Sequence, residues 1–311
     1  MRCIAKGSEI LDKELIPIVK IGSENTYHPQ NMIPCDTYVV KTQDLLTSSG
    51  TKFNKHYVEI KNKGGFDEFF KDECKVILSL IMPDKTIAGC DQLRYLLMIR
   101  ELNPALIITP DGETYHDDTV RSKYVIEKTL ECIDFLLNEG IEPNRLIGLV
   151  LGANYQQIDL YIDELLNRGI RKFCFHAGDF RFRRDSRSKR LALDIARHIR
   201  PLVPYLMIYG GGCRNFFQQY HFADAFVTQS HFVSGFKHKK ICRTGQKKFN
   251  GELSWSFIMG NLHEIYHYHF NRDDHMSLSG LLELNQNCIS SDMGITKEKK
   301  SEKNPLLMGG D

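Results

Sequence analysis

One stretch of the chain decides the fold: KVILSLIMPDKTIAGCDQLRYLLMIRELNPALIITPDGETY, residues 75–115. An apolar run ends in Pro-Asp, residues 91–102 carry apolar side chains at helical spacing, and a second apolar run again ends in Pro-Asp. Continuous apolar strands that alternate with amphipathic helices are typical of a parallel sheet covered by helices. The stretch therefore predicts a strand–helix–strand unit of an α/β fold.

The same alternation continues to residue 231. A long amphipathic pattern over 119–139 stops at Gly140, and later apolar runs lie at 146–152, 172–179, 205–212 and 224–231. Units of about 25–40 residues suit a closed barrel or an open doubly wound sheet. No GxGxxG follows the first strand, which disfavours a dinucleotide-binding domain.

The two ends of the chain are less regular. Short strand-like pieces lie at 16–19, 37–40 and 57–60 between polar loops, and no role for residues 1–75 follows from them. Beyond residue 285 the sequence becomes polar, which is typical of a mobile tail. We predict one domain over residues 1–285 and a tail over residues 286–311.

The composition favours a protein of the cytoplasm. Hydrophobic residues make up 42% of the chain, enough for a large core. No apolar window of 18 residues or more occurs, and the first residues carry charges throughout, so we expect neither a membrane span nor a signal peptide. Nine cysteines without a CxxC pair indicate free thiols in a reducing compartment.

Polar residues and glycines follow several of the predicted strands. They are Asp84, Asp111, Asn154, His176, Gly210–Gly212 and Gln229. Carboxyl ends of parallel strands carry the site in α/β folds, so Asp84 and Asp111 are expected to converge there, together with Asp224 at the opening of the sixth strand. Paired carboxylates suit displacement at a sugar anomeric carbon. Each aspartate also fits a helix cap or turn, and the glycines fit either a tight turn or a bare edge for a base or phosphate.

Two basic segments follow the fourth and sixth strands. RFRRDSRSKR (181–190) and KHKKICRTGQKK (237–248) each hold six cations. Two such runs beside carboxylates favour a polyanionic substrate that the net charge of +2 conceals. The residues predicted to contact nucleic acid are Arg181, Arg183, Arg184, Arg187, Lys237, Lys239 and Lys240.

A histidine cluster lies at His263, His267, His269 and His275. The segment HEIYH matches the HExxH pattern, in which two histidines one helical turn apart bind zinc. The surrounding segment is aromatic and offers no further support for a protease. A packed or surface cluster is the favoured interpretation, and no metal site is predicted.

The order of the motifs over roughly 91–240 resembles the tRNA-guanine transglycosylase superfamily. LIGLVLGANYQQIDLYIDELLNRGI resembles its "GIVQGG" unit, KFCFHAGDF its "AIGGL" strand, YLMIYGGGCRNF its "YLMGVG" strand, and FADAFVTQSH its "FDCVLPTR" strand. The resemblance implies a TIM-like (β/α)8 barrel with short N-terminal additions, and a pentosyltransferase that replaces guanine with a 7-deazaguanine. The usual "DSGGFQ" is missing, a base-contacting glutamine falls on Leu151, and the zinc motif of three cysteines and a histidine is absent. With these departures the chain is similar to the divergent branch that modifies DNA, and no cofactor is expected.

The resemblance also implies roles for single residues. Asp224 would be the nucleophile on the ribose, Asp84 the general acid and base, and Asp111 the residue that holds the base. The remaining substrate-binding residues would be Gly152, His176, Gly178, Gly210 and Gly211. The expected partners are nucleic acid, with DNA favoured over tRNA, a preQ0-type base, and a partner protein or a second copy of the chain.

Two alternatives stay open. A non-catalytic subunit that binds nucleic acid beside a catalytic partner fits the departures at Leu151 and at "DSGGFQ". An unrelated barrel enzyme that binds a phosphorylated small molecule fits the Gly210–Gly212 turn.

Overall fold

The computed structural model describes residues 14–19, 21, 37–70, 75–112, 114, 118–178, 186–211, 213–229, 239–242, 245–248, 261, 264 and 265. Eight of its strands form the barrel: Glu14–Val19 (β1), Thr37–Lys41 (β2), Lys75–Ser79 (β3), Leu106–Ile108 (β4), Leu146–Leu149 (β5), Lys172–His176 (β6), Tyr205–Tyr209 (β7) and Ala225–Thr228 (β8). Each strand pairs in parallel with the next, and β8 pairs with β1 to close the sheet. The predicted (β/α)8 barrel is confirmed.

Helices connect the strands. They are Lys55–Asn62 (α1), Phe66–Phe70 (α2), Asp84–Ile87 (α3), Gln92–Leu102 (α4), Thr119–Asn138 (α5), Tyr155–Asn167 (α6), Ser186–Ile199 (α7) and Arg214–Gln219 (α8). Short 3-10 helices lie at Thr42–Asp44, Pro143–Arg145 and Arg200–Leu202. Side chains cap the starts of α4, α5 and α6, where Asp91, Asp118 and Asn154 accept hydrogen bonds from backbone N–H groups. Asn154, expected at a strand tip, therefore serves as a helix cap.

The early part of the chain supplies two of the barrel strands. The apolar pieces at 16–19 and 37–40 lie in β1 and β2, as the sequence indicates. The piece at 57–60 is not a strand, because it lies inside α1. The side chain of Asn54 accepts hydrogen bonds from the N–H groups of His56 and Tyr57 and so starts the helix. Tyr57 and Ile60, three residues apart, then both face the core.

The strand register defines which residues point into the barrel. Lys41 pairs with Ser79, and His176 pairs with Tyr209. Residues paired in parallel strands share a face, and alternate residues of a strand lie on opposite faces. Tyr38 stacks on Phe70 of α2, with ring centroids 6.1 Å apart, so the face of Tyr38 is the outer one. Lys41, three positions further along β2, therefore lies on the inner face.

A separate two-stranded sheet follows the barrel in the sequence. Lys239–Cys242 (β9) and Gly245–Lys248 (β10) pair as antiparallel strands. The predicted tail over 286–311 lies outside the described residues. Among the residues that are described, none of the helices is both long enough and apolar enough to cross a membrane.

Candidate functional site

The carboxyl ends of the barrel strands form a mouth with a polar inner layer. The pairing of neighbouring strands connects, in order, Lys41, Ser79, Ile108 and Ile147, and then continues to β6. These four residues therefore lie on the same inner face as His176 and Tyr209. The inner layer below them is apolar and closed, because Cys174 and Met207 are almost fully buried. The polar side chains at the mouth therefore sit on an apolar floor.

Lys41 and Gln229 link two strands across a third. The Nζ atom of Lys41 donates a hydrogen bond of 2.8 Å to Oε1 of Gln229. Lys41 ends β2 and Gln229 follows β8, and β1 lies between these strands. Neighbouring strands are about 4.8 Å apart, so the two side chains span about 10 Å over the end of β1. The link crosses the inside of the mouth.

His176 and Tyr209 form a ring pair on the opposite side. Their ring centroids are 4.9 Å apart, and the rings meet edge to face. Tyr209 is only 3% exposed, and both the Nδ1 atom of His176 and the hydroxyl oxygen of Tyr209 are shielded from water. Shielded polar atoms on an inner face are strong sites for ligand hydrogen bonds, because water does not screen them.

Gly178 and Gly210 bring the main chains of β6 and β7 together just above this ring pair. A methyl group on Gly210 would lie 2.6 Å from the Cα atom of Gly178, and one on Gly178 would lie 2.9 Å from Nε2 of His176. Gly210 also has a φ of +110°, which disfavours any other residue. The two predicted substrate-binding glycines therefore allow the main chains that follow β6 and β7 to pack directly on each other, and their predicted role in substrate binding stays a prediction.

Gly152 and Gly211 have a different role in the fold. A side chain on Gly152 would overlap Ile158 of α6, and a side chain on Gly211 would overlap the ring of Phe216 in α8. Both glycines allow a helix to pack directly on the strand end. The structure explains them by helix packing, and their predicted role in substrate binding stays a prediction.

Asp111 and Asp84 follow neighbouring strands at the mouth. Asp111 is half-buried, and its Oδ1 atom accepts a hydrogen bond of 2.8 Å from the N–H of Gly112. Burial, with the charge of Asp111 as a further cause, raises the pKa of the Tyr161 hydroxyl and of the Cys174 thiol above their ordinary values. Asp84 lies in the first turn of α3 and is exposed. The expectation that these two aspartates share the carboxyl end is confirmed.

The expectation that Asp224 joins them is wrong. Asp224 precedes the first residue of β8, so it lies at the amino end of the barrel, about 16 Å along the strand direction from the mouth. Its Oδ2 atom accepts from the N–H of Leu206 at 2.7 Å, and its Oδ1 atom lies 3.3 Å from Nη2 of Arg200. Arg200 also donates to the carbonyl oxygens of Val203 and Phe222. Asp224 thus joins the starts of β7 and β8 and cannot act beside Asp84 and Asp111.

The predicted nucleic-acid contacts are only partly described. Arg187 is exposed in the first turn of α7, and Lys239 and Lys240 lie in β9. Arg181, Arg183, Arg184 and Lys237 lie outside the described residues, as do the four histidines of the predicted cluster. Within the described part of the chain, no three His, Cys, Asp or Glu side chains come close enough to hold a metal ion.

No protein-family model matches the chain, and no curated protein matches it. The resemblance to the transglycosylase superfamily therefore stays a hypothesis.

Sequence patterns missed Lys41, Ser79 and Tyr209 as mouth residues. The signal for Lys41 was present, because this cation closes the apolar strand TYVVK. A strand that is buried on both sides is apolar throughout, so its sequence does not show which side chains point into the barrel. The strand register was needed to place all three residues in the mouth.

Proposed function

We propose that the mouth of the barrel takes up a guanine base of nucleic acid and exchanges it for a 7-deazaguanine, with DNA favoured over tRNA. The observation that carries the proposal is the hydrogen bond between Lys41 and Gln229 across the inside of the mouth, with the half-buried ring of His176 on the opposite side. The partly exposed ring of His176 supplies stacking surface for a flat base.

The Lys41–Gln229 link suits the polar edge of guanine. Guanine presents two neighbouring acceptors, O6 and N7, on its major-groove edge. The ammonium group of Lys41 carries three N–H donors, and Gln229 uses its Oε1 atom toward Lys41, which turns its amide NH₂ toward the other side. In this proposal the lysine and the amide donate to O6 and N7 of the bound base.

A carboxylate at the mouth supplies the nucleophile. Since Asp224 lies at the amino end, Asp111 takes this role in the proposal. Its carboxylate attacks C1′ of the target nucleoside, so that a C1′–O bond forms as the bond from C1′ to the guanine nitrogen breaks, and Asp84 protonates the departing base. The incoming 7-deazaguanine then gives its N–H proton to Asp84 and attacks C1′, which releases Asp111. Two inversions give net retention, and a duplex target requires the nucleotide to flip out of the stack.

One observation favours a second candidate function. The residue that the family resemblance assigns as nucleophile, Asp224, is held in an ion pair outside the mouth. A barrel that binds nucleic acid without exchanging a base, as the partner of a catalytic subunit, would need no nucleophile in the mouth.

A base-exchange assay separates the two functions. The protein is incubated with labelled guanine and with either duplex DNA or tRNA, and the label retained in the polymer is counted. We expect incorporation into DNA, and a covalent protein–DNA adduct that survives denaturation. Binding of either polymer without label and without adduct would favour the non-catalytic barrel, and loss of binding altogether would reject both.

A further inference from the structure

One helix on the outside of the barrel has a strongly basic exposed face. The helix is α7, which joins the end of β6 to the start of β7. Its exposed side chains include four cations, Arg187, Lys189, Arg190 and Arg197. The one acidic residue of α7 is Asp194, whose Oδ2 atom lies 3.9 Å from Nε of Arg190. On α5, by contrast, two exposed lysines each pair with a glutamate of the same helix.

Three of these cations form a stripe along α7. Arg187, Arg190 and Arg197 are three and seven residues apart, so they lie within about 80° of one another around a helix that turns about 100° per residue. Arg187 and Arg197 are about 15 Å apart along the helix axis. Because α7 begins after the mouth end of β6 and runs back to the start of β7, the stripe descends the outside of the barrel from the mouth to the amino end.

A cavity lies at the lower end of the stripe. Its volume is about 600 Å³, which is within the range of small-molecule sites. The main chain of its wall is fixed by Arg200, which donates to the carbonyl oxygens of Val203 and Phe222. The rings of His221 and Phe222 meet edge to face, with centroids 5.9 Å apart. The residues that line the cavity are Arg197, Arg200, Pro201, Val203, His221 and Phe222. Arg197 therefore belongs both to the stripe and to an aromatic cavity.

The stripe and the cavity together restrict the kind of partner. Arginine is well suited to phosphate, because its guanidinium group can donate two parallel hydrogen bonds. A membrane surface is disfavoured, because α7 exposes no large apolar side chain among its described residues. A DNA duplex is stiff over about 150 base pairs and holds its bases in the stack. A single strand can bend from the mouth down the side of the barrel, and it offers phosphates to the cations and a free base to the aromatic cavity.

We propose that a single-stranded segment next to the target nucleotide leaves the mouth along α7, with its phosphates on Arg187, Arg190 and Arg197 and one of its bases in the cavity beside Phe222. This proposal rests on the proposed function in taking a nucleic acid whose target base lies in the mouth. It goes further by assigning a second contact surface, the strandedness of the flanking segment and its path over the protein.

The test measures binding of the full chain by fluorescence anisotropy over a series of salt concentrations. The probes are a DNA single strand of about 20 nucleotides, long enough for more than one contact region, its blunt duplex, and vesicles containing phosphatidylserine. The variants are R187Q/R190Q and R197Q for the two halves of the stripe, F222L for the cavity, and D194N, which removes the acid of the helix. The control K123Q/K128Q removes two exposed cations from α5.

We expect the single strand to bind more tightly than the blunt duplex. R187Q/R190Q should lower the slope of log K against log salt by about 1.4 and R197Q by about 0.7, at about 0.7 for each phosphate contact of a single strand. F222L should weaken single-strand binding about tenfold through the loss of one base stack, with the slope unchanged. D194N should tighten binding, because it removes a negative charge beside Arg190. The α5 control should bind like the parent.

Equal binding of the blunt duplex or the vesicles, an equal loss in the α5 control, or full single-strand affinity in both R197Q and F222L would overturn the proposal. Label incorporation distinguishes its failure from that of the proposed function. Exchange at the parent rate, with unaltered single-strand binding in all the stripe variants, would reject the path along α7 and leave the proposed function standing. Stripe-dependent binding of the single strand without any exchange would support the path and reject the exchange reaction.

Discussion

At the amino end of the barrel, Asp224 bonds to the N–H of Leu206 and pairs with Arg200, whose other nitrogens bond to main-chain oxygens. At the mouth, Lys41 and Gln229 bond across the inside of the barrel. Both ends hold charged side chains next to the strands. They differ in what the side chains join, since the amino-end contacts connect the consecutive strands β7 and β8, whereas the mouth contact connects β2 and β8 across β1. In this barrel a charged residue that precedes a strand holds neighbouring strands together, whereas one that ends a strand lies at the mouth.

The largest expected effect concerns the two aspartates. We expect Asp111→Asn to lower base exchange by at least about 1000-fold, because the amide cannot attack C1′. Asp224→Asn should leave the exchange rate per folded molecule within about threefold of the parent, because its carboxylate lies at the other end of the barrel. Label incorporation into DNA measures both rates. The reverse pattern would show that the nucleophile lies at the amino end and would remove Asp111 from the mechanism.

The second effect concerns stability. Asp224→Ala removes the acceptor of the Leu206 N–H and the partner of Arg200, so we expect the free energy of unfolding to fall by about 2 kcal/mol. Asp163→Ala, an exposed aspartate on α6, serves as the matched control and should change it by less than about 0.5 kcal/mol. Urea unfolding followed by circular dichroism measures both. An equal loss in the two variants would mean that the amino-end network adds nothing.

The third effect concerns two lysines at opposite ends of the inner face. Lys41 closes β2 at the mouth, and Lys75 opens β3 at the amino end on the same face of the sheet. We expect Lys41→Met to weaken binding of free guanine about tenfold through the loss of a charged donor, and Lys75→Met to leave it unchanged. Calorimetric titration with guanine gives both affinities. Equal affinities in the two variants would exclude Lys41 from base recognition.

The smallest effect appears at high pH. Burial, followed by the charges of Glu14 and Asp224, raises the pKa of the Tyr205 hydroxyl above its ordinary value of 10.0. The folded protein therefore holds this proton more tightly than the unfolded chain does, so the stabilisation is present below pH 10 and is lost as the pH rises above it. Between pH 9 and pH 11 the free energy of unfolding should fall in both proteins. We expect the fall to be about 1 kcal/mol smaller in Tyr205→Phe than in the parent, because the variant has no hydroxyl that ionises on unfolding. Tyr124→Phe, at a tyrosine that is 59% exposed, should follow the parent curve.

Most of the strands could be predicted from the sequence because continuous apolar runs mark buried parallel strands, whereas the choice of a closed barrel over an open sheet came from the family resemblance. The alternation from residue 75 onward and the short runs in β1 and β2 both reflect this burial. The piece at 57–60 was misjudged because a helix cap at Asn54 outweighs its β-branched residues. The site was harder to predict, because an aspartate beside an apolar run can either precede the strand or follow it. Only the strand boundaries show that Asp224 lies at the amino end and Asp111 at the mouth.

The loops after β2 and β3 have a further consequence. A methyl group on Gly50 would overlap the carbonyl oxygen of Thr86, one on Gly89 would overlap that of Ser49, and the Thr86 hydroxyl bonds to the carbonyl of Ser48. These two loops pack on each other and together form one wall of the mouth. In the proposed function, the entry route for a bulky nucleotide therefore runs over the side of the mouth formed by β5 to β8, next to the His176–Tyr209 ring pair.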